Sequence, residues 1–460
     1  MQRLWPWFLI LLALAPAALV HPKPPAAPTH VHAVAVIGVV GGGSSFNPAV
    51  ASTMPGRLVA DNLFPTLFRV SPEGLLAPGL AVNATASGNL VTVTLGSHRL
   101  ANGTPLTPAM VAEALSETLW PATGSTEARA LLGDVKGAPA VEAGKTQDIS
   151  GIAETGPRTL QITLTGPVSN WVWRLANPAL GILPVSDLIN GGAYWSVADL
   201  IGSGPFRVVA DAPTAAMQFE PLRAKPGTPL IEVERYGNLE EAALALVNGE
   251  ASAVSVPVKS LDTMLVKPFR AHLHFLAAPP QIELVVNPAP SNPWTAATAA
   301  GPSVRQVVRA AFHGLVTPAS GFIPAITSPL APSSSSSTAP GAAAPSSAAP
   351  SAAPAPLPLY VNGQDSMTMA IGASLEHAAP GRYRVIVLSG SAWTTALQHG
   401  SIPAALVRAW PGGPLPAVMA GWKSTALASS GSFWLIAPRV RGASVLANGA
   451  LDWNVFAPRS

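Results

Sequence analysis

Apolar and polar positions follow each other along the chain in short blocks that have the period of strands or helices. Residues 32–40, HAVAVIGVV, form a β-branched apolar run that ends at three glycines and predicts a buried strand. Residues 88–95 and 158–166 alternate apolar with polar side chains, which predicts two strands with one solvated face. The N-terminal half is therefore expected to contain sheet.

Two helices are predicted by their start and stop signals. Thr107 is placed as an N-cap before Pro108, and apolar side chains then recur on one side up to Leu119. Residues 239–247 have the same helical period, end at Asn248 and Gly249, and lead into a short apolar run. We expect an amphipathic helix at each place.

The region after residue 356 alternates strand and helix patterns. Strands are predicted at 357–362, 382–389 and 402–410, with helices at 366–378 and 391–400 between them. Such alternation is typical of parallel strands joined by crossover helices, which predicts an α/β lobe. Ligands collect at the carboxyl ends of strands in such sheets, and Trp410 stands at one of those ends.

Composition narrows the class of protein. The 460 residues are too many for one ordinary core, so two or more lobes are expected. Only 11% of the residues are charged, the net charge is +3, and no Lys/Arg cluster occurs, which makes nucleic acid an unsuitable partner. Cysteine is absent, which excludes disulfides, thiolate metal sites, cysteine nucleophiles and a lipid-modified cysteine.

Three segments are expected to lie outside the folded lobes. Residues 1–20 have a basic residue before an apolar run that ends in Ala15, Pro16 and Ala17, which predicts a secretory signal peptide; an uncleaved N-terminal anchor is the alternative. Residues 21–30 are a Pro/Ala-rich linker. Residues 332–358, rich in Pro, Ser and Ala, predict an extended or disordered tract.

The order of several motifs resembles the family 5 extracellular solute-binding proteins, the peptide and nickel receptors of ABC importers. The segments that carry the resemblance are SSFNPAV, ADNLFPTLFRVSPEGLLAPGLAV, LANGTPLTPAMVAEAL, IGSGPFRV and ELVVNPAPSNPWTAATAAGPSVRQVVRAAFHGL. Asn102 stands where this family usually has an aspartate. The resemblance runs from about Val34 to the C-terminus.

The resemblance implies an α/β fold with two lobes in a periplasmic-binding-protein-like clamshell. Lobe I would comprise residues 31–275 and the C-terminal return 432–460, and lobe II would comprise residues 276–431. It also implies a monomeric, non-enzymatic, periplasmic receptor without a cofactor, which binds a peptide-like or other small solute and delivers it to an ABC importer permease. A degenerate receptor that acts as a scaffold or regulator is the alternative.

The resemblance also indicates which residues would contact the ligand. Ser44, Ser45 and Phe46 would belong to the first cleft loop, Asn287 to the second lobe, and Trp393 and Trp410 would form apolar cleft walls. For both indoles, packing in the core of lobe II is an equally weighted alternative.

Charge at the expected ligand site differs from that of peptide-binding members of the family. Those members carry an aspartate for the ligand ammonium three residues after the tryptophan, where this chain has Gly413 after Gly412. Asp365 is the nearby carboxylate that could replace it. We therefore expect a neutral, modified or apolar ligand, because a buried ammonium without a charge partner is unfavourable.

Other kinds of site have weaker support. His272 and His274 are spaced so that a strand would place both rings on one face, which suits a soft or borderline cation such as nickel. Two histidines are only part of a coordination shell, so structural histidines are favoured and no metal site is expected. Neither a Gly-x-Ser-x-Gly elbow nor a His-Glu-x-x-His motif occurs, although a hydrolase site assembled from distant segments stays open.

Overall fold

A computed structural model describes most of the chain after residue 33. The described residues are 34–41, 45–71, 75–167, 171–184, 200–211, 216–223, 228–289, 291–296, 304–316, 355–409, 419, 421–446 and 449–458. The chain divides into a short unit, residues 1–32, and a main unit, residues 33–460. The predicted signal peptide, the linker and residues 332–354 of the predicted tract lie outside the described residues.

The main unit is a mixed α/β structure. Its strands are β1 Val34–Val40, β2 Phe68–Val70, β3 Leu76–Pro78, β4 Ala81–Ser87, β5 Leu90–Leu95, β6 Ile152–Gly156, β7 Thr159–Thr163, β8 Phe206–Asp211, β9 Ala216–Pro221, β10 Leu230–Tyr236, β11 Ala253–Val256, β12 Leu273–Val286, β13 Leu357–Asn362, β14 Tyr383–Leu388, β15 Ala404–Ala409, β16 Lys423–Ile436, β17 Val440–Arg441 and β18 Ala457–Pro458. Its helices are α1 Met54–Leu63, α2 Pro108–Glu117, α3 Thr126–Leu132, α4 Ala138–Glu142, α5 Leu239–Val247, α6 Leu261–Met264, α7 Pro293–Ala296, α8 Val304–Ala311, α9 Ser366–Ala378 and α10 Gly390–Gln398.

A ten-stranded sheet forms the framework, in the order β14-β13-β15-β12-β16-β11-β1-β10-β9-β8. Its fourth and fifth strands, β12 and β16, have 14 residues each and pair antiparallel with one another. One end of β12 pairs with β15, and the opposite end of β16 pairs with β11. These two long strands therefore join two groups of strands in one sheet. On one side are β15, β13 and β14, and on the other side are β11, β1, β10, β9 and β8.

The pairing of β12 with β16 is interrupted near its middle. The register changes between the pair Ala277 and Gly431 and the pair Gln281 and Ser429, so that more residues of β12 than of β16 lie in the gap. Such a bulge bends a strand locally. The predicted lobe boundaries, 275/276 and 431/432, fall inside these two strands, beside the bulge.

The predicted alternation after residue 356 is confirmed. β13 pairs parallel with both β14 and β15, and α9 packs on all three strands. The strand Leu357–Asn362 and the helix Ser366–Ala378 have the predicted bounds, and the strand begins at the end of the predicted Pro/Ser/Ala tract. A core that contains Leu359, Ile371 and Leu406 fills the space between the sheet and α9.

The predictions for the N-terminal half are also confirmed. The N-cap Thr107 accepts a hydrogen bond from Met110 N (3.3 Å), and α2 begins at Pro108. The two alternating segments became β5 and β7, which are antiparallel neighbours in a four-stranded sheet of order β4-β5-β7-β6. Their inner side chains, among them Val91, Val93 and Leu160, form a core together with the apolar side of α2.

The C-terminal segment returns to the strands around β1. Trp453 is fully buried and packs against Phe206 and Phe219, with ring centroids 5.4 and 4.8 Å away. The side chain of Asn62 in α1 donates to Leu451 O (2.9 Å) and accepts from Trp453 N (3.1 Å). The start and the end of the described chain thus share one core, which also contains Ile37 and Val233.

Among the described residues, none of the helices combines the length and the apolar character needed to cross a membrane.

Candidate functional site

A partly buried ion pair lies at the carboxyl ends of the parallel strands β13 and β15. Arg408 stands near the end of β15, and Asp365 follows β13 as the N-cap of α9. Arg408 Nε lies 2.6 Å from Asp365 Oδ2, and Arg408 Nη2 lies 3.1 Å from Asp365 Oδ1, so the pair is bidentate. This edge of the sheet is where parallel strands usually place ligand-binding residues.

Asp365 also binds the backbone of its own helix. Its Oδ1 accepts hydrogen bonds from Met367 N (3.1 Å) and Thr368 N (3.3 Å). The side chain of Asp365 is 14% exposed and that of Arg408 is 25% exposed. Burial alone would raise the pKa of Asp365, but the charge of Arg408 and these hydrogen bonds outweigh burial and lower it.

The charge of Arg408 is stabilised in the same way. Burial would lower the pKa of Arg408, whereas the neighbouring Asp365 carboxylate outweighs burial and raises it. The sequence suggested Asp365 as a carboxylate for a ligand ammonium. In the structure this carboxylate neutralises Arg408 and caps α9, and its role towards a ligand stays a prediction.

A second arginine, Arg57 of α1, extends the charged group. Its Nη2 donates to Ser52 O over 2.7 Å. Burial lowers the pKa of Arg57, the positive charge of Arg408 lowers it further, and Asp61, Asp365 and Glu127 oppose both effects. Charges from α1, α3, the N-cap of α9 and β15 therefore act on one another in one region.

The loop after β1 contains two of the predicted contact residues, Ser45 and Phe46. Asn47 N donates to Ser45 Oγ (3.1 Å), and Phe46 packs partly buried against the core around β1 and α1. The side chain of Asn47 donates to Glu117 Oε1 of α2 over 2.9 Å. The conformation of this loop is thus set by contacts with a helix seventy residues further along the chain.

Trp393 and Asn287 lie on the α10 side of the sheet. Trp393 in α10 packs partly buried against a cluster that contains Val285, Ile402 and Val407. Asn287 follows β12; its backbone N donates to Pro403 O (2.9 Å), and its Oδ1 accepts from Ala289 N (3.1 Å). Both residues thus have packing or backbone contacts, and their role towards a ligand stays a prediction.

Four of the predicted contact residues lie outside the described part of the chain: Ser44, Trp410, Gly412 and Gly413. Trp410 is the second residue after Arg408 in the sequence. Two arginines of the charged region around Asp365, Arg408 and Arg57, were not predicted as site residues from the sequence. A signal was present, because Arg408 interrupts the otherwise apolar strand AALVRA and Arg57 lies four residues before Asp61 on one helix.

His274 of β12 and His272, in the short 3-10 turn just before that strand, face a common open cavity of about 370 Å³. His272 and His274 line it together with apolar side chains such as Leu276, Ile436 and Val440. Burial lowers the pKa of His274, and the neighbouring His272 lowers it further. Within the described residues, no group of three or more His, Cys, Asp or Glu side chains is arranged to hold a metal ion.

The arrangement of strands matches known structures over nearly the whole chain. An unliganded open form of the murein tripeptide-binding protein MppA aligns with a TM-score of 0.59 and 15% identity, covering 93% of this chain and 97% of that chain. OppA of Burkholderia pseudomallei aligns with a TM-score of 0.54 and 15% identity (93% and 99%). OppA of Haemophilus influenzae, in complex with the peptide RPPGFSPFR, gives 0.55 and 15% (92% and 99%).

The fold is therefore that of the two-lobed periplasmic substrate-binding proteins, as the sequence predicted. In sequence, the chain is similar to the periplasmic murein peptide-binding protein MppA of Escherichia coli K12, with 29% identity over 167 residues. That alignment covers 35% of this chain and spans about a third, 31%, of MppA. No protein-family model matches the chain. The fold and the sequence match together support the resemblance to family 5, and these similar proteins are binding proteins.

Proposed function

We propose that this chain is the extracytoplasmic substrate-binding protein of an ABC importer, without catalytic activity of its own. It binds a peptide-like or other small solute between its two lobes and delivers it to a membrane permease. The observation that carries the proposal is the charged group at the carboxyl ends of β13 and β15, in a fold shared with peptide-binding proteins. A ligand that contacts both lobes would stabilise the closed form.

The ligand is expected to be neutral at the end that approaches Trp410. The guanidinium of Arg408 is already balanced by Asp365, and that of Arg57 has Asp61 and Glu127 near it. These internal pairs reduce the attraction of either arginine for a ligand carboxylate. Gly413 supplies no carboxylate for a ligand ammonium, so free zwitterionic peptides should bind poorly.

Mass spectrometry of the solute that co-purifies with the exported protein tests the function directly. A bound neutral or modified peptide would support the proposal, and failure to bind any component of a cell extract would favour the scaffold alternative. Co-purification with a permease would support import. Activity against generic ester or peptide substrates would show that the chain is an enzyme.

Two variants test the proposed contacts. Trp410→Ala should weaken binding of the natural solute, and Gly413→Asp should create affinity for free peptides because it introduces a carboxylate. Gly412→Asp is the matched control, since it carries the same charge one residue away and should create less affinity. Tight binding of an unmodified peptide by the natural chain would contradict this choice of ligand.

A further inference from the structure

A single buried carboxylate joins the loop after β1 to two other segments. Asn47 Nδ2 and Thr123 Oγ1 both donate to Glu117 Oε1, over 2.9 and 2.6 Å. Glu117 is the last residue of α2 and is 2% exposed. It therefore connects the loop 45–51, the end of α2 and the turn that precedes α3.

Asn47 is the residue around which the loop is organised. Its backbone carbonyl accepts from Val50 N (3.1 Å) and Ala51 N (2.9 Å), and its Oδ1 accepts from Ala49 N (2.9 Å). Its own N–H donates to Ser45 Oγ. If the side chain of Asn47 lost its contact with Glu117, the turn that presents Ser45 and Phe46 would lose its connection to α2.

A second hydrogen bond joins this loop to the start of α3. Ser125 Oγ, at the N-cap of α3, donates to Ala49 O over 2.6 Å. The loop is thus bound at two points, by the last residue of α2 and by the N-cap of α3. Of these two contacts, the one between Asn47 and Glu117 involves a side chain that can ionise, and the one between Ser125 and Ala49 does not.

Burying a carboxylate is unfavourable unless hydrogen bonds compensate for the lost water. Burial raises the pKa of Glu117, and the hydrogen bonds from Thr123 and Asn47 oppose this effect only in part. Both of these partners are neutral. The carboxylate therefore remains unfavourably buried when ionised, and its contacts with the loop and the turn are what stabilise it.

We propose that Glu117 is a positioning residue that fixes the loop 45–51 through Asn47, and so determines where Ser45 and Phe46 lie. The importance of this loop for a ligand rests on the proposed function. The fixing of the loop does not, so the two can be tested separately.

Hydrogen exchange of the full-length chain tests the first part. Glu117→Ala and Asn47→Ala should each accelerate exchange of the amides of Val50 and Ala51, which donate to the backbone carbonyl of residue 47, by about tenfold, as expected when a buried hydrogen bond is lost. Glu117→Gln keeps an acceptor oxygen and should leave the loop protected. Thr118→Val is the matched control, because Thr118 is buried beside Glu117 and its hydroxyl binds Leu115 O.

The pH dependence separates positioning from simple packing. Opening of the loop would hydrate Glu117, so ionisation should favour opening as the pH rises through its raised pKa. Protection, corrected for intrinsic exchange, should therefore decrease in the natural chain and stay constant in Glu117→Gln. Unchanged exchange in Asn47→Ala, equal acceleration in Thr118→Val, or the same pH profile in Glu117→Gln would overturn the proposal.

Binding of acetyl-trialanine amide, a neutral peptide probe, tests the connection to the site. Asn47→Ala should weaken its binding about tenfold, in proportion to the loss of loop protection, whereas Thr118→Val should not. Equal binding by Asn47→Ala, despite faster loop exchange, would refute a role of the positioned loop in binding. Failure of the natural chain to bind the probe would count against the proposed ligand class and leave the exchange result intact.

Discussion

The pair of Asp365 and Arg408 offers a direct test of how this structure is stabilised. Asp365→Asn removes the charge but keeps an oxygen for the cap of α9, whereas Asp365→Ala removes both. Comparison of the two variants separates the ion pair from the helix cap. Glu220→Gln is the control, because Glu220 pairs with Arg207 at the surface, where the Arg207 side chain is 54% exposed.

The expected magnitudes follow from burial. Leaving one partner of a fully buried pair alone costs roughly 3–5 kcal/mol, and with a quarter of Arg408 exposed we expect about 2–3 kcal/mol for Asp365→Asn. Loss of an N-cap adds about 1 kcal/mol, so Asp365→Ala should lose about 3–4 kcal/mol. Glu220→Gln should lose about 0–1 kcal/mol, as exposed pairs do.

Urea unfolding near neutral pH measures these differences, with exchange of the α9 amides as a local probe. The folded state lowers the pKa of Asp365, so the advantage of the natural chain over Asp365→Asn is fully present above the ordinary value of 3.8 and decreases as the pH falls through the lowered pKa. A loss within about 0.5 kcal/mol for Asp365→Asn would refute the reasoning, because neutral surface substitutions cause as much. Equal losses for Asn and Ala would show that the cap contributes nothing.

Further outcomes are expected elsewhere in the chain. Trp453→Ala should lower the free energy of unfolding by about 3–5 kcal/mol, because a fully buried indole between two phenylalanine rings leaves a cavity; a loss below about 1 kcal/mol would contradict its burial. Limited proteolysis should cleave within residues 332–358 and leave both lobes folded, and global unfolding after cleavage would contradict the predicted tract. N-terminal sequencing of the exported protein should find a start near Ala18, whereas intact Met1 in a membrane fraction would indicate an anchor. In calorimetry with nickel, replacing both His272 and His274 by Ala should leave the measured heat unchanged.

Local signals in the sequence determined several of the helices and strands. The helix Ser366–Ala378 follows a capping Asp365, and α2 begins after the cap of Thr107 with a proline at its first position. Each signal lies within a few residues of the element that it starts, so no distant contact is needed to recognise it. The same is true of β5 and β7, whose alternation reflects one buried and one solvated face.

The sequence also contained the general class of the fold, through the order of its motifs. The pairing of β12 with β16 could not be predicted from the sequence. Each of these strands has 14 residues, and the apolar and polar patterns along them are too short to indicate one continuous strand. The break in their register depends on which residues face each other, and pairing partners are set by the whole sheet.

By itself, the sequence determined several elements, their order and the resemblance to solute-binding proteins. Only the tertiary structure brought Asp365 to Arg408, 43 residues later, and Asn47 to Glu117, 70 residues later. The role of a polar side chain depends on which partner meets it in a buried place, and periodicity carries no information about that partner. For this reason the cap that Asp365 makes on its own helix is a local feature, whereas its pairing with Arg408 came only from the tertiary structure.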